Sequence, residues 1–264
     1  MNQKIIDFHA HAFPEAIAEK AVANVGNHYS ISMSGTGRVE DLIRSAGKSH
    51  VDYVVFHSTA TRASQVRAIN DWVAQHAGGQ LIGFGTLHPD MDDVEGEFER
   101  LLSLGLKGIK LHPDFQRFNA DDPKMDRIYG VIGNRLPILI HAGDERLDSS
   151  SPQRLARVLE KFPKLIMVAA HLGGYQRWQE AMDCLIGKNL YLDTSSAIGY
   201  MDSTFATQLI RKHGTRRVVF GTDYPADFHD EALVLFNRLG LTNQEREDIL
   251  YNNAAGLLGL DNNK

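Results

Sequence analysis

Apolar residues along this chain gather into short runs that recur at near-regular intervals. The runs are Lys4–His9, Val51–His57, Leu81–Leu87, Gly108–His112, Pro137–His141, Leu165–His171, Leu190–Thr194 and Val218–Asp223. Most are nearly continuous in Val, Ile, Leu and Ala, the pattern of parallel strands covered on both faces. Between them the apolar positions switch to helical spacing. Val66, Ile69 and Val73 mark a helix over 63–75, and Phe98, Leu101 and Leu102 mark one over 94–104. Ser151-Pro152 supplies an N-cap and a proline at the first helical position for a helix over 153–162. Helices are also expected over 202–211 and 230–239, and Thr242-Asn243-Gln244-Glu245 is a capping box for a last one.

Strand alternates with helix eight times, with no break in composition. The expected fold is α/β, a single (β/α)8 TIM barrel over residues 1–264. The stretch 12–50 is too long for one loop, so a helix near 15–24 and a Gly- and Ser-rich excursion near 30–37 are expected there. A doubly wound open sheet would place a Gly-rich phosphate loop after the first strand. This chain has His-Ala-His-Ala-Phe-Pro at that point.

Composition narrows the class. Hydrophobic content of 43% and charged content of 23% over 264 residues are those of an ordinary globular protein. A formal net charge of −5 and scattered Lys and Arg leave no nucleic-acid footprint. The one cysteine, Cys184, excludes an intrachain disulfide and a thiolate metal cluster. It falls in a helical pattern and reads as packing. No apolar stretch approaches the roughly 18–20 residues of a membrane span, and the first residues lack a secretory apolar region. A cytoplasmic protein with a small-molecule substrate and no membrane or nucleic-acid partner is expected.

The histidines change the picture. His9, His11, His57, His112, His141 and His171 fall at or just beyond strand C-termini, which form the catalytic mouth of a barrel. In Asp7-Phe8-His9-Ala10-His11, strand alternation puts Asp7, His9 and His11 on one face. Two imidazoles side by side suit a borderline ion such as zinc. Asp223 ends the eighth strand, a neighbour of the first in a closed barrel. With His141 as a third imidazole, these residues make an open nitrogen/oxygen site with room for water, catalytic in type. His171 is placed for acid–base work, and Asp223 to take a proton. Alternation also turns Lys110 and His112 inward on the fourth strand. His112 and Arg146 are candidates for substrate contact, Arg146 as a bidentate carboxylate clamp; His57 and His88 sit on strand-end loops, where a structural role is the first reading and substrate contact the second. Asp7, a layer deeper, is expected to orient a histidine. His28, His50, His76, His213 and His229 read as surface or core.

Six pieces taken together resemble the amidohydrolase superfamily, within it the group that includes aminocarboxymuconate semialdehyde decarboxylase. They are Asp7-Phe8-His9-Ala10-His11, Gly108-Ile109-Lys110-Leu111-His112-Pro113, Ile140-His141-Ala142-Gly143, Ala170-His171-Leu172-Gly173-Gly174, Gly221-Thr222-Asp223-Tyr224-Pro225 and Asn252-Asn253-Ala254-Ala255. The resemblance implies a somewhat distorted barrel, often a homodimer. It implies one divalent metal held by His9, His11, His141 and Asp223, commonly zinc, with manganese as the alternative. It gives His171 the task of positioning or deprotonating the metal-bound water. In binuclear members a carboxylated lysine on the fourth strand bridges two ions, so Lys110 raises the possibility of a second one. Left uncarboxylated, Lys110 is a point charge for a substrate carboxylate. Decarboxylase members hold substrate carboxylate with an arginine in the region of Arg177, at a different spacing. The group contains hydrolases, decarboxylases and hydratases. The expected reaction is hydrolysis of a small lactone, amide or carboxylate-bearing compound by a metal-activated water. The alternative is non-oxidative decarboxylation of an unsaturated carboxylic acid, and a third reading is a binding protein on the same scaffold.

Overall fold

A computed structural model describes residues 3–260. Eight strands follow one another in it: β1 Ile6–His11, β2 Tyr53–His57, β3 Leu81–Phe84, β4 Ile109–Leu111, β5 Pro137–Ile140, β6 Ile166–Ala169, β7 Tyr191–Asp193 and β8 Val218–Val219. Each overlaps one of the expected runs. β1 runs further than expected, to His11, and β8 stops earlier, at Val219. The expected helices form as Val66–His76, Val94–Ser103, Pro152–Lys161, Ser203–His213 and His229–Phe236. Their starts are chemical. Ser151 Oγ accepts from the Arg154 N–H, and Asp93 and Asp202 cap two more. Thr242 and Glu245 make the reciprocal bonds of the capping box.

The stretch 12–50 holds more helix than expected. One helix spans Glu15–Tyr29 and a second spans Val39–Lys48. The second buries Val39, Asp41, Leu42, Ser45 and Ala46, with Val39, Leu42 and Ala46 at helical spacing, a usable signal that sequence reasoning missed. The excursion between them is pinned: Ser34 N–H donates to Ala226 O at 3.1 Å and Gly35 N–H to Pro225 O at 2.9 Å. Gly35 is required there, because a Cβ at that position would lie 2.4 Å from Tyr224 Cε2.

The chain divides into two compact units. Of the described residues, the first holds 3–57, 78–82 and 194–260. In it β1 and β2 are parallel, with Ile6 opposite Tyr53 and His11 opposite His57. A bulge between Asp7 and Ala10 breaks the alternation of β1. The other edge of β1 meets the chain that follows β8. Phe8 N–H donates to Phe220 O at 2.8 Å, Asp223 N–H to His9 O at 2.8 Å and His11 N–H to Tyr224 O at 2.6 Å. Ile6, Phe8, Val54, Phe56, Phe220 and Phe236 are fully buried, each contributing roughly 1.5–3 kcal/mol by removal from water.

The second unit holds residues 58–77 and 83–193. Here β4, β5, β6 and β7 lie side by side in that order, all parallel. The segment after β3 joins β4 through Gly85 N–H to Gly108 O at 2.9 Å and Lys110 N–H to Gly85 O at 2.7 Å. The helix Val94–Ser103 buries Val94, Phe98 and Leu101, one stripe at helical spacing.

Candidate metal centre

In the first unit, three donor atoms form a near-equilateral triangle. His9 Nε2 lies 3.2 Å from His11 Nε2, and each lies 3.2 Å from Asp223 Oδ1. Ligands on one divalent ion at about 2.1 Å, in tetrahedral or octahedral arrangement, are about 3.0–3.4 Å apart. Two imidazole nitrogens and a carboxylate oxygen are the donors that such an ion takes from this set of side chains. His9 is fully buried, whereas His11 and Asp223 keep side-chain exposures of 17% and 19%, so the triangle opens on one side.

Each corner is held from behind. His9 Nδ1 lies 3.0 Å from Ser195 Oγ. A proton on Nδ1 shared with that hydroxyl leaves the lone pair on Nε2, the tautomer a metal ligates. Ser196 Oγ donates to Asp223 Oδ2 at 2.8 Å, so Oδ1 is the oxygen left facing the imidazoles. Gly221 gives His9 its space, since a Cβ there would lie 2.9 Å from His9 Cβ.

The structure corrects two placements. Asp223 is not set by strand alternation, because β8 has already ended. It sits in the left-handed region at φ 60°, a conformation aspartate tolerates better than most residues, and its N–H is tied to His9 O. Asp7 does not share the imidazole face, because the bulge intervenes. Its carboxylate accepts from the His9 and Thr222 backbone N–H groups and the Thr222 hydroxyl. It does meet a histidine, but that residue is His229, which the sequence pattern assigned to surface or core.

The second unit carries its own cluster. His141 Nε2 lies 2.7 Å from Gly143 O and 3.4 Å from Asp114 Oδ2. A carbonyl at that distance places the proton on Nε2 and the lone pair on Nδ1. Nδ1 then accepts from His171 Nε2, 3.0 Å away. His171 has φ 58°, and its backbone N–H donates to Asp193 Oδ1 at 3.0 Å while its carbonyl accepts from Trp178 Nε1 at 2.9 Å. His112 stacks on His141 with centroids 4.1 Å apart. Burial pushes the Asp114 carboxyl up to about 6, against a bond from Ser149 and with the Asp144 charge adding to the rise. His112, Asp114 and His141 form one group able to hold a cation.

Among the substrate candidates, Lys110 is fully buried on β4. Arg146 is half exposed beside Asp144, at 3.7 Å. Arg177 is tied to Asp148 at 3.2 Å and to Glu180 at 2.6 Å, which occupy its guanidinium. Sequence reasoning missed Ser195, Ser196 and Asp114. Ser195 and Ser196 follow the seventh strand in Thr194-Ser195-Ser196, a strand-end position that was a usable signal. Asp114 lies two residues past His112, and nothing in its pattern marked it.

The amidohydrolase family matches residues 6–260, and the chain belongs to that family. Its fold is the (β/α)8 barrel. A TIM-barrel protein from Bordetella bronchiseptica is similar with a TM-score of 0.77 and 19% identity, over 97% of this chain and 98% of that one. The 5-carboxyvanillate decarboxylase LigW from Sphingomonas paucimobilis is similar with a TM-score of 0.74 and 15% identity, over 98% and 99%. A dihydroxybenzoic acid decarboxylase from Polaromonas sp. JS666, with bound manganese and the inhibitor 2-nitroresorcinol, gives 0.75 and 16%, over 98% of each chain. No curated protein matches the chain in sequence.

Proposed function

We propose that this chain is a metal-dependent, non-oxidative decarboxylase of a small unsaturated or aromatic carboxylic acid. The observation that carries the metal part is the His9–His11–Asp223 triangle, with donor atoms 3.2 Å apart. Similarity to two decarboxylases supports carboxy-lyase chemistry over the hydrolysis expected from sequence. In the family pattern His141 is a further ligand, a role for which one of its ring nitrogens must leave its bond to Gly143 O or His171, and His171 is the proton-handling group. A bound divalent ion supplies Lewis acidity toward the substrate's oxygens.

The chain's own residues supply the rest. Ser196 holds Asp223 in one orientation, and Ser195 holds His9. His171, bonded at its backbone to Asp193, has a fixed place from which to give or take a proton. The net reaction adds one proton to the carbon bearing the carboxylate and breaks the bond to that carboxylate. Carbon dioxide leaves, and the bond's electron pair goes to the new C–H bond.

The test is a screen of the metal-loaded protein against hydroxybenzoates and unsaturated carboxylic acids, with lactones and amides in parallel, following carbon dioxide release. Release by the native protein and its loss in His9→Ala/His11→Ala support decarboxylation. Turnover of lactones or amides with no carbon dioxide from any acid returns the assignment to hydrolysis.

A further inference from the structure

We infer that His57 is a further protein ligand of the same centre, an imidazole from β2 beside His9 and His11 of β1. The inference rests on the metal reading above and extends it to a residue at the end of β2. His57 stands directly opposite His11 in the parallel register of β1 and β2. The register is locked just past the strand end by Ala12 N–H donating to His57 O at 3.0 Å. Its ring meets His11 edge-on, with centroids 4.4 Å apart at 86°, and lies 5.3 Å from His9. One nitrogen from each of the three rings lies within 4.8 Å of the other two. Donors that share one ion must converge on one point, and these three nitrogens are grouped closely enough to do so.

His57 and His9 are both fully buried. An imidazole-rich donor set selects a borderline transition ion such as zinc or cobalt over calcium or magnesium, which prefer oxygen.

The test uses the full chain loaded with cobalt(II), read by its visible d–d spectrum, and with zinc, read by competition against a coloured chelator. His57→Ala is expected to weaken zinc binding at least about tenfold and to shift the cobalt bands, since one nitrogen leaves the shell. His57→Asn is measured beside it, and X-ray absorption on the zinc-loaded proteins counts one imidazole fewer than in the native chain. A folded His57 variant with native zinc affinity, native cobalt bands and an unchanged imidazole count overturns the inference. If neither variant folds, the native protein decides: displacement of a histidine proton resonance assigned to His57 on zinc addition, with the metal's characteristic nitrogen-15 shift, supports ligation, and an unshifted ring nitrogen overturns it. His9→Ala/His11→Ala separates the two levels. If that variant keeps its metal, the metal reading fails; if it loses metal while the His57 variants do not, only the role of His57 fails.

Discussion

His229 Nε2 lies 3.1 Å from Asp7 Oδ2, with both side chains fully buried. On its other side His229 Nδ1 is 2.8 Å from Ser45 Oγ, and that oxygen accepts from the His229 backbone N–H at 3.2 Å. Nε2 makes no aligned hydrogen bond, so the ring edge meets the Asp7 carboxylate as a close contact. Asp7 accepts from His9 N–H at 2.9 Å, Thr222 N–H at 3.1 Å and Thr222 Oγ at 2.6 Å. One buried carboxylate thus fixes the backbone beside two of the metal-facing residues.

Replacing His229 by alanine leaves that carboxylate buried without its ring partner. Leaving a buried polar group without a neighbour it packs against costs about 1–3 kcal/mol. Urea unfolding of His229→Ala is expected to show a loss of that order. A loss below about 1 kcal/mol, the scale of an exposed pair, would contradict the role given to His229.

Ser196→Ala removes the bond that fixes Asp223 Oδ2. Loss of such a supporting bond typically lowers metal affinity about 10–100-fold. Competition with a chelator is expected to show a drop in that range, with native-like melting of the chelated protein. Native affinity in the variant would mean that the bond does not orient the carboxylate.

Asp227 borders a cavity of about 220 Å³ that Thr194, Ser196, Tyr200, Thr222 and Leu235 also line. Burial, then the charges of Asp223 and Glu231, push its carboxyl up to about 6. The folded protein therefore holds this proton longer than the unfolded chain. The stabilisation is present at pH below the ordinary value of 3.8 and is lost as pH rises to about 6. Asp227→Asn removes that loss. Its melting temperature is expected to gain on the native protein between pH 4 and pH 7, and a constant gap across that range would refute the assignment.

Gly35→Ala places a Cβ 2.4 Å from the Tyr224 ring. Overpacking of this kind costs about 1–3 kcal/mol. Thermal melting of the variant is expected to fall accordingly, and an unchanged melt would show that the excursion yields freely.

Much of this was legible in the chain, for physical reasons that differ from place to place. Helix starts at Ser151 and Thr242 were readable because capping is local chemistry between residues three apart. The strands were readable because both faces are covered and the runs are apolar. Pairing of His9 with His11 survives the bulge in β1, but the placement of Asp7 does not, since a bulge has no signature in alternation. Asp223 reached the expected place by a left-handed turn rather than by a strand. The contacts of Ser195, Ser196 and His229 join residues more than 25 positions apart or cross between elements, so only the folded chain displays them.

The central claim is that His9, His11 and Asp223 hold a divalent ion. Metal content per chain, measured by plasma emission on the native protein and on His9→Ala/His11→Ala, tests it most directly. The expected result is about one ion in the native chain and close to none in the folded double variant. A double variant that keeps its full metal content would contradict the claim.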